Sequence, residues 1–177
     1  MKRNHCFRSI FVLVIIGLFV FVVDLFQVRT SFFITSSDQI ISYDVAEVLR
    51  IIDGDTIEVF VNGFNQQVRF IGVDCPELNT QGGKEAKSFT SDHLLGSIIY
   101  LEKDIEDQDK YNRLLRYVWT SKPDNEKNIT NMFNFQLLNE GYASSMSVSP
   151  NNKYSKQFIT IEKEVLKNEK NNWYLNE

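Results

Sequence analysis

Five charged residues lie at positions that a purely solvent-facing role does not explain. Asp55 closes the turn in the stretch IIDGDTIEV, and Arg69 interrupts the apolar run of QQVRFIGV. Asp74 and Glu77 follow in DCPE at the end of that run, and Arg113 precedes another apolar run in DKYNRLLRY. Carboxylates bind hard cations and accept protons, whereas the guanidinium fork of arginine binds phosphate groups. The residue types therefore suit chemistry in which a cation and an oxyanion meet.

The turn before Asp55 also has a purely structural explanation. Asp-Gly between two apolar runs is typical of a tight β-turn, because glycine accepts positive φ at little cost. We therefore interpret Asp53 and Gly54 as the turn itself. Asp55 is then the side chain that the turn delivers to a site.

Alternating apolar residues predict the strands that would position these side chains. The predicted strands cover 43–52, 56–61, 66–73, 97–102 and 114–120. The predicted helices cover 83–95, 128–141 and the stripe Tyr154, Phe158, Ile161 and Val165. The first three strands form a meander, and the order βββ-α-ββ-α-α predicts an α+β fold. Its core would be a five-stranded OB-fold β-barrel with three helices.

Composition limits the class of protein. The chain has 177 residues, of which 43% are hydrophobic, so it can form one domain with a substantial core. Its formal net charge of −4 argues against a protein held to nucleic acid by bulk positive charge. Two cysteines, Cys6 and Cys75, do not make a disulfide framework. Cys75 is a weak candidate for a nucleophile, because one histidine lies near the N-terminus and the other on a predicted helix.

The N-terminal residues differ in character from the rest of the chain. Basic residues precede an unbroken apolar run over 10–23, which is the layout of a secretory signal. We predict that 1–28 is a signal peptide or an N-terminal membrane anchor, with anchoring through 10–28, and that 29–42 is a linker. The rest, 43–177, would be an exported domain, either secreted or anchored to the outer face of the cell membrane.

The motifs IDGDTIEV, VRFIGVDCPE, GGKEAKSFT, DKYNRLLRYV and LLNEGYA follow one another over about residues 50–173. In this order they resemble the staphylococcal nuclease-like (thermonuclease) family. The resemblance implies an OB-fold barrel with three helices, which agrees with the predicted order of elements. It also implies calcium-dependent hydrolysis of phosphodiester bonds in DNA and RNA. We predict no protein partner and expect a monomer.

The resemblance assigns a role to each candidate residue. Asp55 and Asp74 match carboxylates that bind Ca²⁺, and the main-chain carbonyl of Cys75 would be a further ligand. Glu77 matches the acid that positions or deprotonates the attacking water. The two arginines named above, Arg69 and Arg113, match residues that bind the scissile phosphate.

Two stretches depart from the family pattern. LNTQGG makes a short, uncharged loop where the best-known members have a longer basic one, and SSMSVS before Pro150 lacks the usual tyrosines. Base stacking on aromatic rings contributes about 1–3 kcal/mol per base, so substrate binding could be weaker or supplied by another residue such as Tyr111. The alternative prediction is therefore a catalytically weak or silent OB-type module that binds nucleic acid.

Overall fold

In the computed structural model, the described residues are 42–123 and 128–167. The strands in these ranges are β1 (Tyr43–Ile51), β2 (Thr56–Val61), β3 (Phe64–Phe70), β4 (Val73–Asp74), β5 (Ile98–Glu102), β6 (Leu114–Trp119) and β7 (Ser144–Ser145). The helices there are α1 (Gln81–Leu94), α2 (Phe133–Asn139) and α3 (Ser155–Lys167).

Five of the strands close into a barrel in the order β1-β2-β3-β6-β5. The first three form the predicted antiparallel meander, β3 pairs with β6 in parallel, and β5 closes the barrel against β1. The barrel and the three helices confirm the predicted α+β fold with an OB-type barrel.

The first strand contains a β-bulge that the apolar pattern of the sequence does not predict. Ala46 and Val48 point into the barrel, while Val45 is 54% exposed. The pairing of β1 with β2 shifts between Val48 and Arg50, which turns Ile51 back into the core. One extra residue in a strand moves all later side chains to the opposite face. Val48 and Ile51, three residues apart, can therefore both face the core of the barrel.

The predicted third strand over 66–73 is wrong at its C-terminal end, because β3 stops at Phe70. Gly72 has φ +80°, and a Cβ at this position would lie 2.6 Å from the ring of Phe158. The chain therefore turns sharply out of the barrel at a position that only glycine fits well. The next two residues, β4, pair with β7 in a separate two-stranded sheet. This change of direction places Asp74 beside the end of the barrel.

The predicted helix over 128–141 begins later in the structure, at Phe133. The side chain of Asn128 accepts hydrogen bonds from the main-chain N–H of Thr130, at 3.3 Å, and from its hydroxyl, at 2.8 Å. Met132 then makes an isolated β-bridge with Trp119. Asparagine side chains that bond to nearby backbone favour turns over helix, and here that local preference is reinforced by pairing with β6.

Asn134, on α2, connects the elements on which the candidate residues lie. Its side chain is fully buried, accepts a hydrogen bond from Val118 N at 2.8 Å and donates one to Ile71 O at 2.8 Å. The turn after β3 is thereby fixed to β6 through a satisfied buried amide.

The predicted N-terminal apolar segment lies outside the described residues, as does the linker up to residue 41. Within the described ranges, none of the helices combines the length and apolar character needed to cross a membrane.

Candidate active site

The turn between β1 and β2 has the structure that its sequence predicts. The side chain of Asp53 accepts a hydrogen bond from Asp55 N at 3.1 Å, which makes Asp53 a turn residue. A Cβ on Gly54 would lie 2.7 Å from the Cys75 sulfur and 2.8 Å from Ala86 Cβ. The turn therefore packs tightly under Cys75 and α1, and this packing fixes the direction of the Asp55 side chain.

Asp55 is a buried carboxylate with several partners. Its Oδ2 accepts a hydrogen bond from Cys75 N at 2.8 Å, and its Oδ1 accepts one from the Thr56 hydroxyl at 3.2 Å. Burial raises the pKa of Asp55 to about 7, although Arg69 and the Cys75 N–H both favour the ionised form. The carboxyl group of Asp55 therefore ionises less readily than an ordinary aspartate.

Arg69 joins the two carboxylates that the sequence predicts as metal ligands. It lies on β3 opposite Thr56, and its side chain is only 11% exposed. Its Nη1 lies 2.9 Å from Asp55 Oδ2, and its Nη2 lies 2.8 Å from Asp74 Oδ1. Nη1 also donates to the carbonyl of Val73 at 2.9 Å. The carboxylates of Asp55 and Asp74 therefore both face the positively charged guanidinium of Arg69.

Glu77 has a fixed backbone and an exposed side chain. Its carbonyl accepts hydrogen bonds from Thr80 N at 2.9 Å and from the Thr80 hydroxyl at 2.7 Å. A Cβ on Gly83 would lie 2.0 Å from the same carbonyl oxygen, so α1 approaches this loop as closely as glycine permits. Among the described residues, no group donates to the carboxylate of Glu77. That carboxylate therefore stays available to a water molecule or a ligand.

Arg113 is held by Asp109, a residue to which sequence reasoning gave no role. Arg113 Nε and Nη2 each lie 2.7 Å from Asp109 Oδ2. Asp109 Oδ1 accepts hydrogen bonds from Tyr111 N at 2.9 Å and from Arg113 N at 3.0 Å. Burial alone would raise the pKa of Asp109, but these bonds outweigh it and lower the pKa, so the carboxylate stays ionised. The sequence does contain a sign of this pair, since Asp109 and Arg113 are four residues apart in DKYNR.

All six predicted site residues line one cavity of about 290 Å³. They are Asp55, Arg69, Asp74, Cys75, Glu77 and Arg113. The structure thus brings together residues from the β1–β2 turn, β3, β4, the loop after β4 and the loop that leads into β6.

The donors at this cavity are of the kind that Ca²⁺ prefers. Asp55 and Asp74 offer carboxylate oxygens that already face one cationic group. Among the described residues, no cluster of three or more His, Cys, Asp or Glu side chains is arranged to hold a metal ion. An ion bound by these two carboxylates would complete its shell with main-chain oxygen, water or substrate.

Cys75 is poorly suited to act as a nucleophile. Burial raises the pKa of its thiol, and the negative charge of Asp55 raises it further. Because the thiolate is the reactive form, Cys75 stays an inert thiol. The sequence-based doubt about cysteine chemistry agrees with this environment.

A second cavity of about 600 Å³ adjoins the first, and Arg69 and Arg113 line both. Met146 and Val148 form part of its apolar wall. Tyr111 lies at its edge, is 66% exposed, and has Lys110 Nζ 4.9 Å from its ring centroid. The segment that lacks tyrosines therefore still contributes an apolar surface, next to an exposed aromatic ring.

Comparisons with known proteins bear on this site. A family model described as "Staphylococcal nuclease homologue" matches residues 67–174, a range that includes Arg69, Asp74, Glu77 and Arg113. The chain is 41% identical over 133 residues to a thermonuclease of Staphylococcus hyicus, covering 72% of this chain and 74% of the relative. It is also 41% identical over 132 residues to a thermonuclease of Staphylococcus intermedius, covering 71% and 74%. It is 34% identical over 132 residues to endonuclease YncB of Bacillus subtilis (strain 168), covering 70% and 59%.

Proposed function

Because the chain belongs to the staphylococcal nuclease family, we propose that it is a calcium-dependent nuclease that cleaves both DNA and RNA at the smaller cavity. The family and its thermonuclease and endonuclease relatives make the chain a hydrolase that acts on phosphodiester bonds. The observation that carries the finer proposal is the convergence of Asp55 and Asp74 on one cationic point, beside Glu77 and Arg113.

Asp55, Asp74 and the carbonyl of Cys75 would hold the calcium ion. A bound calcium ion supplies Lewis-acid activation of a phosphoryl oxygen and a place for the attacking water. Hard oxygen donors suit this ion, and two carboxylates leave further coordination positions open. Arg69 already neutralises part of the negative charge of the two aspartates, which allows them to lie close together.

Arg69 and Arg113 would bind the scissile phosphate, because both line the boundary between the two cavities. Arginine suits this role, since its planar fork stays charged and donates two parallel hydrogen bonds to phosphate oxygens. Asp109 fixes the Arg113 guanidinium before substrate arrives. Such preorganised donors stabilise the charge that develops on phosphate oxygens in the transition state.

Glu77 would position the attacking water and accept its proton. Its carboxylate lines the same cavity and is exposed, whereas its backbone is fixed by Thr80. A general base must lie within hydrogen-bond reach of the water that it deprotonates. The exposed Glu77 carboxylate lines the same cavity as the proposed metal ligands, which is where such a water would lie.

The experiment that tests this function measures cleavage of single- and double-stranded DNA and of RNA, with calcium and with EGTA, by the native protein and by Glu77→Gln. We expect EGTA to abolish cleavage and Glu77→Gln to lower kcat by about 10²–10⁴-fold, because a general base contributes that much. Glu85→Gln, on the exposed side of α1, is the matched control and should keep full activity.

Calcium binding and thermal unfolding of both variants show whether the site and the fold are intact. A folded, calcium-replete protein that binds nucleic acid without cleaving it would overturn the calcium-dependent mechanism. Such a protein would be the silent binding module instead.

The larger cavity would take a base of the substrate, with Tyr111 as the stacking ring in place of the missing tyrosines. The ring is exposed and lies beside Arg113, whose guanidinium carbon is 5.4 Å from its centroid. We expect Tyr111→Ala to raise KM for single-stranded DNA about 5- to 150-fold while kcat changes little, since stacking contributes about 1–3 kcal/mol per base. Tyr111→Phe should retain the native KM, and a KM unchanged in the alanine variant would refute the stacking role.

We also propose that the domain over 43–177 is exported and that residues 1–28 direct its export. The basic and apolar residues at the N-terminus support this proposal. Mass spectrometry of the protein in the medium and in the membrane fraction would identify a cleaved or a retained N-terminus. Protein found only inside the cell would contradict export.

A further inference from the structure

The loop between β5 and β6 carries Arg113 and is shaped by a network of hydrogen bonds. Asp109 N donates to Arg113 O at 3.1 Å, and Gln108 makes an antiparallel bridge with Leu114. Asn112, with φ +63°, turns the chain within this loop. The direction of the Arg113 side chain therefore depends on where the stretch before Asp109 is held.

Arg116 is a buried charged residue on β6 that contacts this stretch. It is 5% exposed, and its Nη2 lies 2.9 Å from Asp107 Oδ1. Its Nη1 donates to the carbonyls of Leu115, at 2.8 Å, and Asp107, at 3.2 Å. The Asp107 carbonyl also accepts a hydrogen bond from Leu115 N at 2.9 Å. Both the backbone and the side chain of Asp107 are thus held from β6.

A second buried side chain, Asn151, fixes the neighbouring residue, Glu106. Asn151 Oδ1 accepts a hydrogen bond from Glu106 N at 2.7 Å, and Asn151 Nδ2 donates to Glu106 O at 3.0 Å. Asn151 is itself only 4% exposed. Residues 106 and 107 are therefore each held by a buried side chain, and only Gln108 separates them from Asp109.

One N–H of the buried Arg116 guanidinium takes no part in these contacts. Among the described residues, its Nε is the buried side-chain atom that lacks a hydrogen-bond partner. A buried N–H without a partner costs free energy, and apolar side chains often replace buried ion pairs at no loss of stability. The two bonded nitrogens of Arg116, Nη1 and Nη2, are directed to the loop before Asp109, where they hold Asp107.

The ionised state of Asp107 strengthens its contact with Arg116. Burial alone would raise the pKa of Asp107, but hydrogen bonds from Lys103 and Arg116 outweigh it and lower the pKa. Lys103 Nζ lies 3.1 Å from Asp107 Oδ1, with both side chains about half exposed. Asp107 thus stays ionised and has one buried and one exposed cationic partner.

We infer that Arg116 is a positioning residue for Arg113. By fixing Asp107 from β6, it sets the position of Asp109, and Asp109 in turn holds the Arg113 guanidinium toward the smaller cavity. This inference rests on the proposed role of Arg113 in phosphate binding. It adds to that role a buried residue that touches neither substrate nor cation.

The experiment compares Arg116→Met with Lys103→Met in the full chain. Both variants remove one cationic partner of Asp107, but only the first removes the buried one. We expect Arg116→Met to lower kcat about 10- to 100-fold with KM within about threefold, because a small misplacement of a catalytic group costs rates of this order. Lys103→Met should stay within about twofold of the native kcat, as expected for an exposed pair.

A spectroscopic readout separates this inference from the proposed function. The Nε–H signal of Arg113 is observable by nitrogen-15 NMR and is assigned by its loss in Arg113→Lys. Its exchange with water is slow while Asp109 holds it, and we expect exchange at least about tenfold faster in Arg116→Met, since the bond opens more often. If the native protein cleaves nothing, the proposed function fails, yet this signal still shows whether Arg116 holds Arg113.

Two further variants keep the test decisive. Asp107→Asn removes the charge on a half-exposed side chain, and should speed the exchange of the Arg113 Nε–H even if Arg116→Met does not fold. In the Arg113→Lys background, Arg116→Met should cause no further loss of kcat, because both act through one group. Unchanged Nε–H exchange in folded Arg116→Met or Asp107→Asn, or additive losses of kcat, would overturn the inference.

Discussion

Asp55 lies in an environment that disfavours the charge it needs to bind a cation. It is 5% exposed, and burial raises its pKa to about 7. Arg69 Nη1 at 2.9 Å and Cys75 N at 2.8 Å stabilise the ionised form without restoring an ordinary pKa. Because a carboxylate must be ionised to ligate a metal, cation binding at Asp55 competes with a proton near neutral pH.

We therefore expect calcium affinity to fall about tenfold from pH 8 to pH 6, because protonation of Asp55 competes with the ion below its pKa. In EGTA, the free energy of unfolding changes with pH in the opposite direction to calcium affinity. The native state keeps a proton that the unfolded chain has lost above about pH 4, so the free energy of unfolding decreases as pH rises from about 4 to about 7.

Isothermal titration calorimetry at several pH values and thermal unfolding in EGTA measure the two effects. Asp55→Asn is the control for the second, since it should lose this part of the pH dependence. Calcium affinity that is the same at pH 6 and pH 8 would contradict the assignment of Asp55 as a ligand.

At the scale of elements, Glu102 joins β5 to two other parts of the fold. It is 2% exposed and accepts a hydrogen bond from Trp119 Nε1, on β6, at 2.8 Å. Lys153 Nζ lies 2.6 Å from the same carboxylate, and the Tyr154 hydroxyl lies 3.1 Å from it. These last two residues directly precede α3. The carboxylate therefore fixes the start of that helix to the barrel.

Glu102→Gln should lower the free energy of unfolding by about 2–4 kcal/mol, because it removes a buried charge that balances Lys153 and places an amide among donors. Glu58→Gln, in the exposed pair with Arg50, should change it by less than about 0.5 kcal/mol. Urea unfolding of both variants checks this expectation. Equal losses in the two would show that the buried network does not stabilise the junction.

At the scale of the whole molecule, the charge balance limits how nucleic acid can be bound. The formal net charge is −4, so the protein lacks a bulk positive charge that would attract a polyanion over long distances. Attraction to the substrate must come from local groups, of which Arg69 and Arg113 are the proposed phosphate contacts. Binding should then depend on salt only as strongly as a few contacts require.

The Glu77→Gln variant, which should bind without cleaving, allows this to be measured. Two phosphate contacts predict a slope of about −1.4 for the logarithm of affinity for single-stranded DNA against that of salt concentration. Between 50 and 200 mM KCl this corresponds to a loss of about sevenfold. Fluorescence anisotropy with a labelled oligonucleotide and constant calcium gives the slope. A value steeper than about −3 would mean that more basic residues contact the substrate than proposed.

Local patterns in the sequence predict the five strands of the barrel, but not the small β4–β7 sheet or the start of α2. Apolar alternation identifies the strands, because each strand has one face in the core and period two is a local property. The pair β4–β7 was not predicted, since two-residue strands are too short to show a period. The start of α2 was also misplaced, because Asn128 and the bridge from Met132 to Trp119 override helical spacing.

The sequence by itself determined the chemistry of the site residues and their order along the chain. It also indicated the turn that Asp53 and Gly54 form, because an aspartate side chain readily accepts a hydrogen bond from the backbone two residues on.

Only the tertiary structure decided how these residues act on one another. Arg69 lies between Asp55 and Asp74, the pKa of Asp55 reaches about 7, and Arg116 holds the loop of Arg113. The physical reason is that burial and ion pairing depend on distances across strands. Barrel closure and the turn at Gly72 set those distances, and local sequence does not encode them.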